Sequence, residues 1–397
     1  MTVGWKHPGE AATAHAGDGL NIVQISPYYA PHHGGVESFV RDISAELTKL
    51  GHRVTVITSR TSRSLPAEEV VGGVTVRRVP LLGTLLRTPI PRGLRSCFDG
   101  DFDIAHSHTP PPSFAYMTIG RCRREGLPMV VTYHCDSDLP SRLAAPLVRF
   151  LDRRISSRII AGASRIMVTT ETYASTSANT WRITPDIVPV GADMRRFFPD
   201  PEDRLRTRRR LGIDGNRVVL FVGRLVRHKG VQYLIEAMRR TQDGTRLMIA
   251  GDGEYAPKLR RIARLQPDHS KVTFIGDVPD SVLPSIYRAA DVLVVPSTSR
   301  LEAFGISAIE AMASGTPVIV SDIPGVREII EEGVQGMRAE PMDPLDLSEK
   351  INAMLDRASA RQATAEACVL RARAFSSRVV TERLLGVYRE VVASHSR

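Results

Sequence analysis

Two glutamates with seven residues between them stand where an apolar strand gives way to a helix. Glu302 lies in the loop after the apolar run Val292–Val295, and Glu310 lies within the helix that is predicted to follow. Backbone N–H groups at a helix start lack intrahelical partners, and the helix dipole favours an anion there. We therefore expect a diphosphate to bind at this turn. The residues of the turn are Phe304, Gly305 and Ile306.

A basic turn earlier in the same half of the chain carries two cations. Arg224 and Lys229 follow the predicted strand Arg217–Val222 and precede a helix that starts near Val231. Arginine binds a phosphate bidentately and lysine acts as a compact point charge, so the pair would stabilise the charge that develops on a departing diphosphate. The alternative interpretation is a solvated basic turn. Each glutamate, taken alone, likewise fits a solvated surface carboxylate.

Histidines end two predicted strands of the first half. His134 ends one of them, where it can face a cleft and form a hydrogen bond, although a packed histidine without a role is the alternative. His106 and His108 end the other, where lining the opposite side of the cleft and a structural role are equally expected. With His32 and His33 they suggest a metal site, which we reject because no carboxylate or cysteine spacing accompanies them.

Short apolar runs alternate with helical patterns along the chain. The alternation and its repetition in both halves predict an α/β protein of two doubly wound Rossmann-like domains that face a cleft. The predicted strands are Asn21–Ser26, Arg53–Thr58, Val74–Val79, Asp103–Ser107, Met129–His134 and Arg165–Thr169, followed by Arg217–Val222, Arg246–Ala250, Lys271–Ile275, Val292–Val295 and Pro317–Val320. The predicted divisions are a flexible leader at 1–19, an N-terminal domain at 20–185, a linker at 186–201, a C-terminal domain at 202–376 and a final helix at 377–397. A return of this final helix to the N-terminal domain is one of the alternatives.

Composition excludes several classes of protein. The 397 residues are 42% hydrophobic and 24% charged, and a chain of this length and hydrophobic content can form two hydrophobic cores. No apolar run approaches the roughly 18 residues of a membrane span. The N-terminus lacks a signal-peptide segment and the four cysteines lack metal or redox spacing, which favours a cytoplasmic protein. The net charge of +10 fits an anionic membrane surface or a phosphorylated ligand. No nucleic-acid partner is expected, because the arginines are spread without a nucleic-acid-binding motif.

These motifs together resemble retaining glycosyltransferase family four, the group 1 enzymes of GT-B architecture. The two glutamates resemble the paired-glutamate motif of that family, Pro31–Glu37 resembles its N-terminal glycine loop, and Gly223–Gly230 resembles its basic donor-site motif. Further matches occur in order at Ala250–Gly253, at Gly276 with Asp277, and at Ala289–Ser297. The resemblance covers nearly the whole chain after the leader.

The resemblance implies roles for individual residues. Glu302 would lie near the hydroxyls of the transferred sugar as a catalytic residue, His134 would lie near the active centre, and Glu310 would hold the ribose hydroxyls of the nucleotide. Donor binding would also involve Arg224, Lys229, Gly34 and Gly35, the two glycines having a plain turn as their alternative. The N-terminal domain would bind the acceptor and the C-terminal domain the donor.

The implied reaction moves a hexosyl group from a UDP-, GDP- or ADP-sugar to an unidentified acceptor, such as a lipid-linked or cell-surface glycan precursor. The segment Thr132–Asp136 resembles mannosyl- and related transferases. The resemblance implies retention of configuration. A double displacement would need a carboxylate nucleophile, and because none can be identified, we expect a same-face attack that the leaving group assists. No cofactor and no bound metal are expected. Asp101 and Asp103 resemble a metal-binding Asp-any-Asp motif, but they precede a strand instead of following one.

A dinucleotide-binding fingerprint supports a different class of enzyme. Gly251–Ala256 fits this pattern with alanine in the third place, so an NAD-dependent oxidoreductase is the alternative. Against it, the first strand-to-helix turn lacks the motif, and no acidic residue ends a strand about 20 residues later.

Arginines surround an apolar stripe in the segment 139–165. A basic amphipathic helix can lie on an anionic membrane, which would suit a lipid-linked acceptor and a peripheral position at the inner face of the membrane. The alternative, which we favour slightly, is a helix that covers the sheet with its arginines in water.

Overall fold

The computed structural model describes residues 19–32, 34–85, 88–94, 98–136, 145–177, 179–180 and 183–395, without the side chains of residues 145–149, 151, 358 and 359. The predicted leader up to residue 18, His33, and the part of the basic segment at 139–144 lie outside the described residues.

Mostly parallel strands form one sheet in the first half of the chain. The strands of this half are β1 (Asn21–Ile25), β2 (Arg53–Ser59), β3 (Glu68–Val71), β4 (Val74–Val79), β5 (Leu81–Leu85), β6 (Thr88–Pro91), β7 (Ile104–Thr109), β8 (Met129–Tyr133), β9 (Arg165–Val168) and β10 (Asp186–Ile187). Within the described residues the sheet has the order β10-β9-β8-β7-β1-β2-β4-β3, with β3 antiparallel to β4, while β5 and β6 form a separate hairpin. The helices are α1 (Gly35–Lys49), α2 (Ser113–Glu125), α3 (Ala145–Gly162) and α4 (Glu171–Thr176).

The second half forms an all-parallel sheet. Its strands are β11 (Arg217–Val222), β12 (Thr245–Ala250), β13 (Val272–Gly276), β14 (Val292–Val295), β15 (Val318–Ser321) and β16 (Gly336–Ala339), in the order β13-β12-β11-β14-β15-β16. Its helices are α5 (Pro201–Leu211), α6 (Val231–Ala237), α7 (Ala256–Arg264), α8 (Leu283–Ala289), α9 (Ile306–Ala313), α10 (Pro344–Asp356), α11 (Arg361–Arg373) and α12 (Ser377–His395). The fold class predicted from the sequence, two doubly wound α/β units, is confirmed.

Apolar side chains explain why these segments become buried strands and helices. The strands β11 and β14 are almost wholly apolar because helices cover both faces of a parallel sheet. In α1 the buried residues Phe39, Ile43 and Leu47 recur at helical spacing, and Gly51, with a φ of +87°, follows the last turn in the left-handed conformation.

The last helix returns to the first sheet. α12 packs against α1, and its buried Tyr388 reaches His106 of β7 and Gln24 of β1. Buried Leu384 and Val391 lie on the same face of α12. The final helix therefore contributes a side chain to the core beneath the carboxyl ends of β1 and β7.

Several strands are not predicted by the sequence pattern. β3 is an exposed edge strand without alternating polarity, β5 and β6 form an exposed hairpin, and β10 has only two residues. β10 pairs with β9, so the first sheet extends into the first two residues of the segment predicted as a linker. In the described part of the chain no helix has the length and apolarity needed to cross a membrane.

Candidate donor-binding and catalytic site

The predicted site residues lie where the order of strands reverses in each sheet. The reversal falls between β11 and β14 in the second sheet, and between β1 and β7 in the first. Turns on the two sides of such a point diverge and leave a crevice at the carboxyl ends of the strands, where open α/β sheets bind ligands. The turns after β11, β14 and β1 are the three that the sequence analysis selected.

Two contacts bring these three turns together. Lys229, after β11, forms an ion pair with Glu302, after β14. Across the two halves, a Cβ atom added to Gly35 would lie 3.3 Å from Cδ1 of Ile306. The helices α1 and α9 therefore begin side by side, and both direct the positive ends of their dipoles to one region.

Glu302 is a buried carboxylate that is held in its ionised form. It is 8% exposed, and it accepts a hydrogen bond of 3.1 Å from the hydroxyl of Ser297 in addition to its ion pair with Lys229. Burial by itself raises the pKa of Glu302, but the Lys229 ammonium and then the Ser297 hydroxyl outweigh it, so that this pKa lies below its usual value. The site thus holds a fixed negative charge beside a cation.

Glu310 has the opposite electrostatic environment. The Tyr287 hydroxyl donates a hydrogen bond of 2.7 Å to its Oε2. Burial is the largest influence and raises the pKa of Glu310 to about 7, because the hydrogen bond and the more distant Arg196 compensate only in part. The two glutamates of the pair therefore differ in protonation near neutral pH, and they lie on different elements as the sequence predicts.

Arg224 is a cation without a partner among the described residues. It is exposed, and its guanidinium has no hydrogen bond or ion pair to any residue that the structure describes. Gly223 precedes it with a φ of +151°, and a Cβ there would lie 3.8 Å from Nζ of Lys229. The turn thus brings the Arg224 backbone close to the Lys229 ammonium and leaves the guanidinium available for an anion.

The start of α9 is built from backbone groups. Gly305 precedes the helix with a φ of +79°, a conformation that favours glycine. Among the described residues, the N–H groups of Gly305 and Ile306 donate no hydrogen bond to another backbone group. The side chain of Phe304 is buried and packs edge-on against Phe375 at a centroid distance of 5.7 Å, so only its backbone is available to a ligand.

The glycine loop of the first half is shaped by Glu37. Gly34 has an extended backbone, and a Cβ atom there would overlap the carboxylate of Glu37, which folds back from the first turn of α1. His32 lies 3.8 Å from the same carboxylate. Gly34 therefore leaves room for a neighbouring side chain, and Gly35 permits the close approach to Ile306.

His134 follows β8 and belongs to a buried polar cluster. It is 5% exposed, and its Nε2 lies 3.1 Å from Nδ1 of His108. Burial lowers the pKa of His134 to about 3, so the ring is neutral at physiological pH. Two residues later, Asp136 forms an ion pair of 2.9 Å with Arg300, which lies two residues before Glu302. The segment after β8 is thereby tied to the loop of the donor half.

The remaining sequence candidates have structural explanations. His106 and His108 are fully buried and do not line a surface. No group of three or more metal-ligating side chains occurs among the residues described. Asp103 accepts a hydrogen bond of 2.6 Å from the Asn21 N–H ahead of β1, which agrees with a polar loop.

The glycines of the dinucleotide fingerprint are packing residues. A Cβ on Gly251 would overlap the carbonyl oxygen of Gly223, and one on Gly253 would lie 2.5 Å from that of Leu225. These glycines allow the turn after β12 to lie against the basic turn after β11. Their presence is explained without a dinucleotide.

Sequence reasoning missed four polar partners of the site. Ser297 and Tyr287 bond the two glutamates, while Gln24 and Tyr388 bond the buried histidines. Ser297 ends the matched segment Ala289–Ser297 and Tyr388 lies in the predicted final helix, but neither position carries a local signal of its hydrogen bond. Each depends on elements that are distant in sequence.

Comparisons with known proteins agree with this geometry. A model of the glycosyl transferases group 1 matches residues 203–369, and a glycosyl transferase 4-like domain matches residues 34–191. A D-inositol 3-phosphate glycosyltransferase of Acidothermus cellulolyticus is 32% identical, over 94% of this chain and 89% of that protein. A protein of the same name from Geodermatophilus obscurus is 31% identical, over 89% of this chain and 84% of its own.

Solved structures share the fold. Sucrose-phosphate synthase from Thermosynechococcus elongatus has a TM-score of 0.78 at 23% identity, and Anabaena HepE in complex with UDP has a TM-score of 0.74 at 19% identity; each match covers 94% of this chain and 100% of the other. The family matches remove the NAD-dependent oxidoreductases from consideration. The chain belongs to the group 1 glycosyltransferases and has the two-domain GT-B fold.

Proposed function

We propose that the protein transfers a hexosyl group, with retention of configuration, from a nucleoside-diphosphate sugar on the C-terminal sheet to an acceptor on the N-terminal sheet. The observation that carries this proposal is the buried Lys229–Glu302 ion pair beside the adjoining starts of α1 and α9. This arrangement offers cations and free N–H groups to a diphosphate, with an ionised carboxylate close by. Because the chain belongs to a glycosyltransferase family, the diphosphate that we expect to bind here is that of a sugar nucleotide.

The diphosphate is the part of the donor that the site can stabilise most. Arg224 is exposed, has no partner in the described part of the chain and would bind the diphosphate oxygens bidentately, while Lys229 would share its charge between Glu302 and the phosphate. The N–H groups of Gly305 and Ile306 would donate hydrogen bonds to the same diphosphate at the start of α9. These interactions strengthen as the leaving group gains charge, so they favour the transition state over the bound donor.

The two glutamates would hold opposite ends of the donor. Glu302 is ionised and would accept hydrogen bonds from hydroxyls of the transferred sugar. Glu310 would accept hydrogen bonds from the ribose hydroxyls of the nucleotide. His134 is neutral and would hydrogen-bond a hydroxyl near the anomeric centre from the opposite domain.

The proposed chemistry is a same-face substitution. The bond from the anomeric carbon to the phosphate oxygen breaks, and its electron pair remains on the phosphate. The acceptor hydroxyl attacks the anomeric carbon from the same face and forms the new glycosidic bond. Its proton passes to the departing phosphate oxygen, so no separate protein base is required.

The donor and acceptor classes can be narrowed. We propose a UDP-sugar as the first donor to test, because HepE binds UDP in a structure of the same fold, with GDP-mannose next in view of the resemblance at Thr132–Asp136. For the acceptor we propose a phosphorylated polyol, since the relatives are named for D-inositol 3-phosphate and the net charge of +10 favours an anion. A lipid-linked glycan precursor is the second choice.

A donor screen tests the proposal directly. Thermal shifts are measured with UDP-, GDP- and ADP-sugars and with NAD, and the donor that stabilises most is then assayed for transfer to inositol phosphate and for hydrolysis. The anomeric configuration of the product is determined by NMR. We expect one sugar nucleotide to raise the melting temperature and to give product with the donor's configuration. Tight binding of NAD with no binding of any nucleoside diphosphate would contradict the proposal.

We also propose that α3 and α2 make a peripheral contact with anionic membrane. α3 turns Ile159 inward, as a helix covering the sheet must, but Phe150 is 53% exposed with Arg154 lying 4.9 Å above its ring. Tyr116 and Met117 of α2 are also exposed, and Arg158 donates a hydrogen bond of 2.6 Å to the Tyr116 hydroxyl. Exposed apolar and basic side chains on one face are the combination that binds an anionic interface.

Vesicle pelleting tests the contact. Wild-type protein should sediment with vesicles of phosphatidylglycerol and not with neutral vesicles, and the double variant Arg153→Glu, Arg154→Glu should lose sedimentation. The matched control is Arg239→Glu, Arg240→Glu, which reverses two exposed charges at the end of α6 in the other domain. Equal sedimentation of both variants would remove α3 from the proposal.

A further inference from the structure

Six buried polar side chains form a continuous hydrogen-bonded chain that runs from Thr132 through Tyr388 of the last helix to His134. Their order is Thr132, His106, Tyr388, Gln24, His108 and His134. The successive distances are 2.7 Å from Thr132 Oγ1 to His106 Nε2, 2.6 Å from His106 Nδ1 to the Tyr388 hydroxyl, 3.0 Å from that hydroxyl to Gln24 Nε2, 2.8 Å from Gln24 Oε1 to His108 Nε2 and 3.1 Å from His108 Nδ1 to His134 Nε2. All six residues are 5% exposed or less.

The amide of Gln24 gives half of this chain its direction. Oε1 of Gln24 can only accept a hydrogen bond, so Nε2 of His108 carries a proton and donates it. A neutral imidazole has one N–H, and burial together with the neighbouring histidines keeps the pKa of His108 well below its usual value. Nδ1 of His108 is therefore an acceptor, and the bond to His134 must be donated by Nε2–H of His134.

Tyr388 couples the other half of the chain to the same amide. Nε2 of Gln24 donates to the Tyr388 oxygen, so the single phenolic proton is donated to Nδ1 of His106. Nε2–H of His106 then donates to Thr132. Because of this coupling, the Gln24 amide can rotate only if every bond in the chain reverses together.

The consequence appears at the free nitrogen of His134. With its proton on Nε2, His134 presents an unprotonated Nδ1, which has no hydrogen-bond partner among the described residues. We infer that Tyr388 is a positioning residue that acts through Gln24 and His108 to hold His134 in this tautomer. His134 then accepts a hydrogen bond from a hydroxyl of the donor or acceptor, an assignment of the ligand that rests on the proposed function. In the reversed arrangement Nδ1 would carry a proton and would select an acceptor group instead.

Imidazole nitrogen NMR tests the tautomer without any substrate. Long-range ¹H–¹⁵N spectra distinguish a protonated from an unprotonated ring nitrogen, and the signals of His134 are assigned by their loss in His134→Gln. In the wild type we expect one His134 species with the proton on Nε2. In Tyr388→Phe, which keeps the ring but removes the hydroxyl, the Gln24 amide loses one of its two partners and can rotate independently of His106, so two tautomers should appear. Gln24→Met should produce the same pair, and it carries the test if the tyrosine variant does not fold.

Kinetics provide the second readout. Tyr388→Phe should lower kcat on the order of 10-fold with little change in KM for the donor, because the proposed nucleotide contacts, which supply most of the donor's binding, lie on the other sheet. The control is Val391→Ala on the same buried face of α12, which should lower the melting temperature but retain kcat. A wild-type His134 protonated on Nδ1, or a spectrum unchanged in both variants, would overturn the inference. Failure to bind any sugar nucleotide would instead refute the proposed function, since the NMR result does not depend on it.

Discussion

At the scale of single residues, the site is a set of charges that compensate one another before any ligand is present. Lys229 and Glu302 lie in contact within a mostly buried environment, and Ser297 adds a hydrogen bond. A buried ion is strongly destabilising once its partner is removed, so each member of this pair constrains the other. The pairing also explains why Glu302 stays ionised although it is buried.

Substitution of Glu302 separates catalysis from nucleotide binding. Glu302→Gln keeps the size of the side chain but removes the charge that we propose to lie next to the transferred sugar, so kcat should fall by about 100-fold or more. The affinity for the free nucleoside diphosphate, measured by calorimetry, should stay within about threefold, because the diphosphate contacts other groups. Transfer at the wild-type rate would exclude Glu302 from the catalytic site.

The raised pKa of Glu310 predicts a pH dependence of nucleoside binding. In the ligand-free protein this pKa is about 7, and the ionised carboxylate is the better acceptor for ribose hydroxyls. Affinity for uridine, which has a ribose but no phosphate to titrate, should therefore increase as the pH rises through about 7. The dependence should be absent in Glu310→Gln; an equal dependence in both proteins would assign it to another group.

The same pKa has a consequence for stability with a defined sign. The folded-state pKa of about 7 lies above the ordinary value of 4.5, so the folded protein holds this proton more tightly than the unfolded chain does. The contribution of Glu310 to stability is therefore full below pH 4.5 and declines as the pH rises to 7. A sugar nucleotide that bonds the ionised carboxylate would reverse part of that loss.

At the scale of elements, the strand-to-helix turns of the second sheet pack against one another through glycine. Gly230 links the basic turn to α6 with a φ of +70°, and a Cβ atom there would overlap the carbonyl oxygen of Pro296 at the end of β14. The Thr298 N–H also donates a hydrogen bond of 2.8 Å to the carbonyl of His228. The backbones of these two turns thus determine the separation of Lys229 and Glu302.

Replacement of Gly230 should disturb both the fold and the ion pair. Gly230→Ala adds a steric overlap to an unfavourable backbone conformation, and we expect unfolding experiments to show a loss of about 3 kcal/mol or more. Gly244→Ala is the matched control, since Gly244 has a φ of +74° and nothing within 4 Å of its added Cβ. It should cost only about 1 kcal/mol. Equal losses would show that conformation alone, and not the contact with Pro296, requires glycine at 230.

At the scale of the whole molecule, polar contacts hold the two domains together around the site. Arg300 bonds Asp136 across the interface and lies 4.8 Å above the ring of Tyr173. On the other side, Arg41 of α1 forms an ion pair of 3.0 Å with Asp280. Since Arg300 and Asp136 lie two residues from Glu302 and His134, this ion pair also constrains the relative position of the two sides of the proposed site.

Loss of Arg300 should loosen this closed arrangement. Arg300→Ala removes the ion pair and the contact with Tyr173, so small-angle scattering should report a larger radius of gyration, and kcat/KM should fall on the order of 10-fold as closure becomes less favourable. Arg327→Ala is the control, because its ion pair with Asp322 lies within one domain. A radius of gyration unchanged by Arg300→Ala would mean that other contacts hold the domains.

Much of this organisation was accessible from the sequence, because it depends on local patterns. The alternation of apolar runs with helical spacing predicted two doubly wound domains, and the position of Glu302, Arg224 and His134 after strands predicted which turns would lie at the proposed site. Edge strands such as β3 and β16 were missed because an exposed or very short strand lacks a clear period. Gly336 in β16 approaches the carbonyl of Val318 too closely for a side chain, a constraint that no local pattern reveals.

The sequence by itself determined the element types, the fold class and the chemical groups at the strand ends, since periodicity and glycine conformation act over a few residues. Only the tertiary structure decided which groups meet. Lys229 and Glu302 are 73 positions apart, and His106 and Tyr388 are 282 apart. The ionisation of Glu302, the raised pKa of Glu310 and the tautomer of His134 all depend on such distant partners and on burial, and burial exists only when the whole chain is folded.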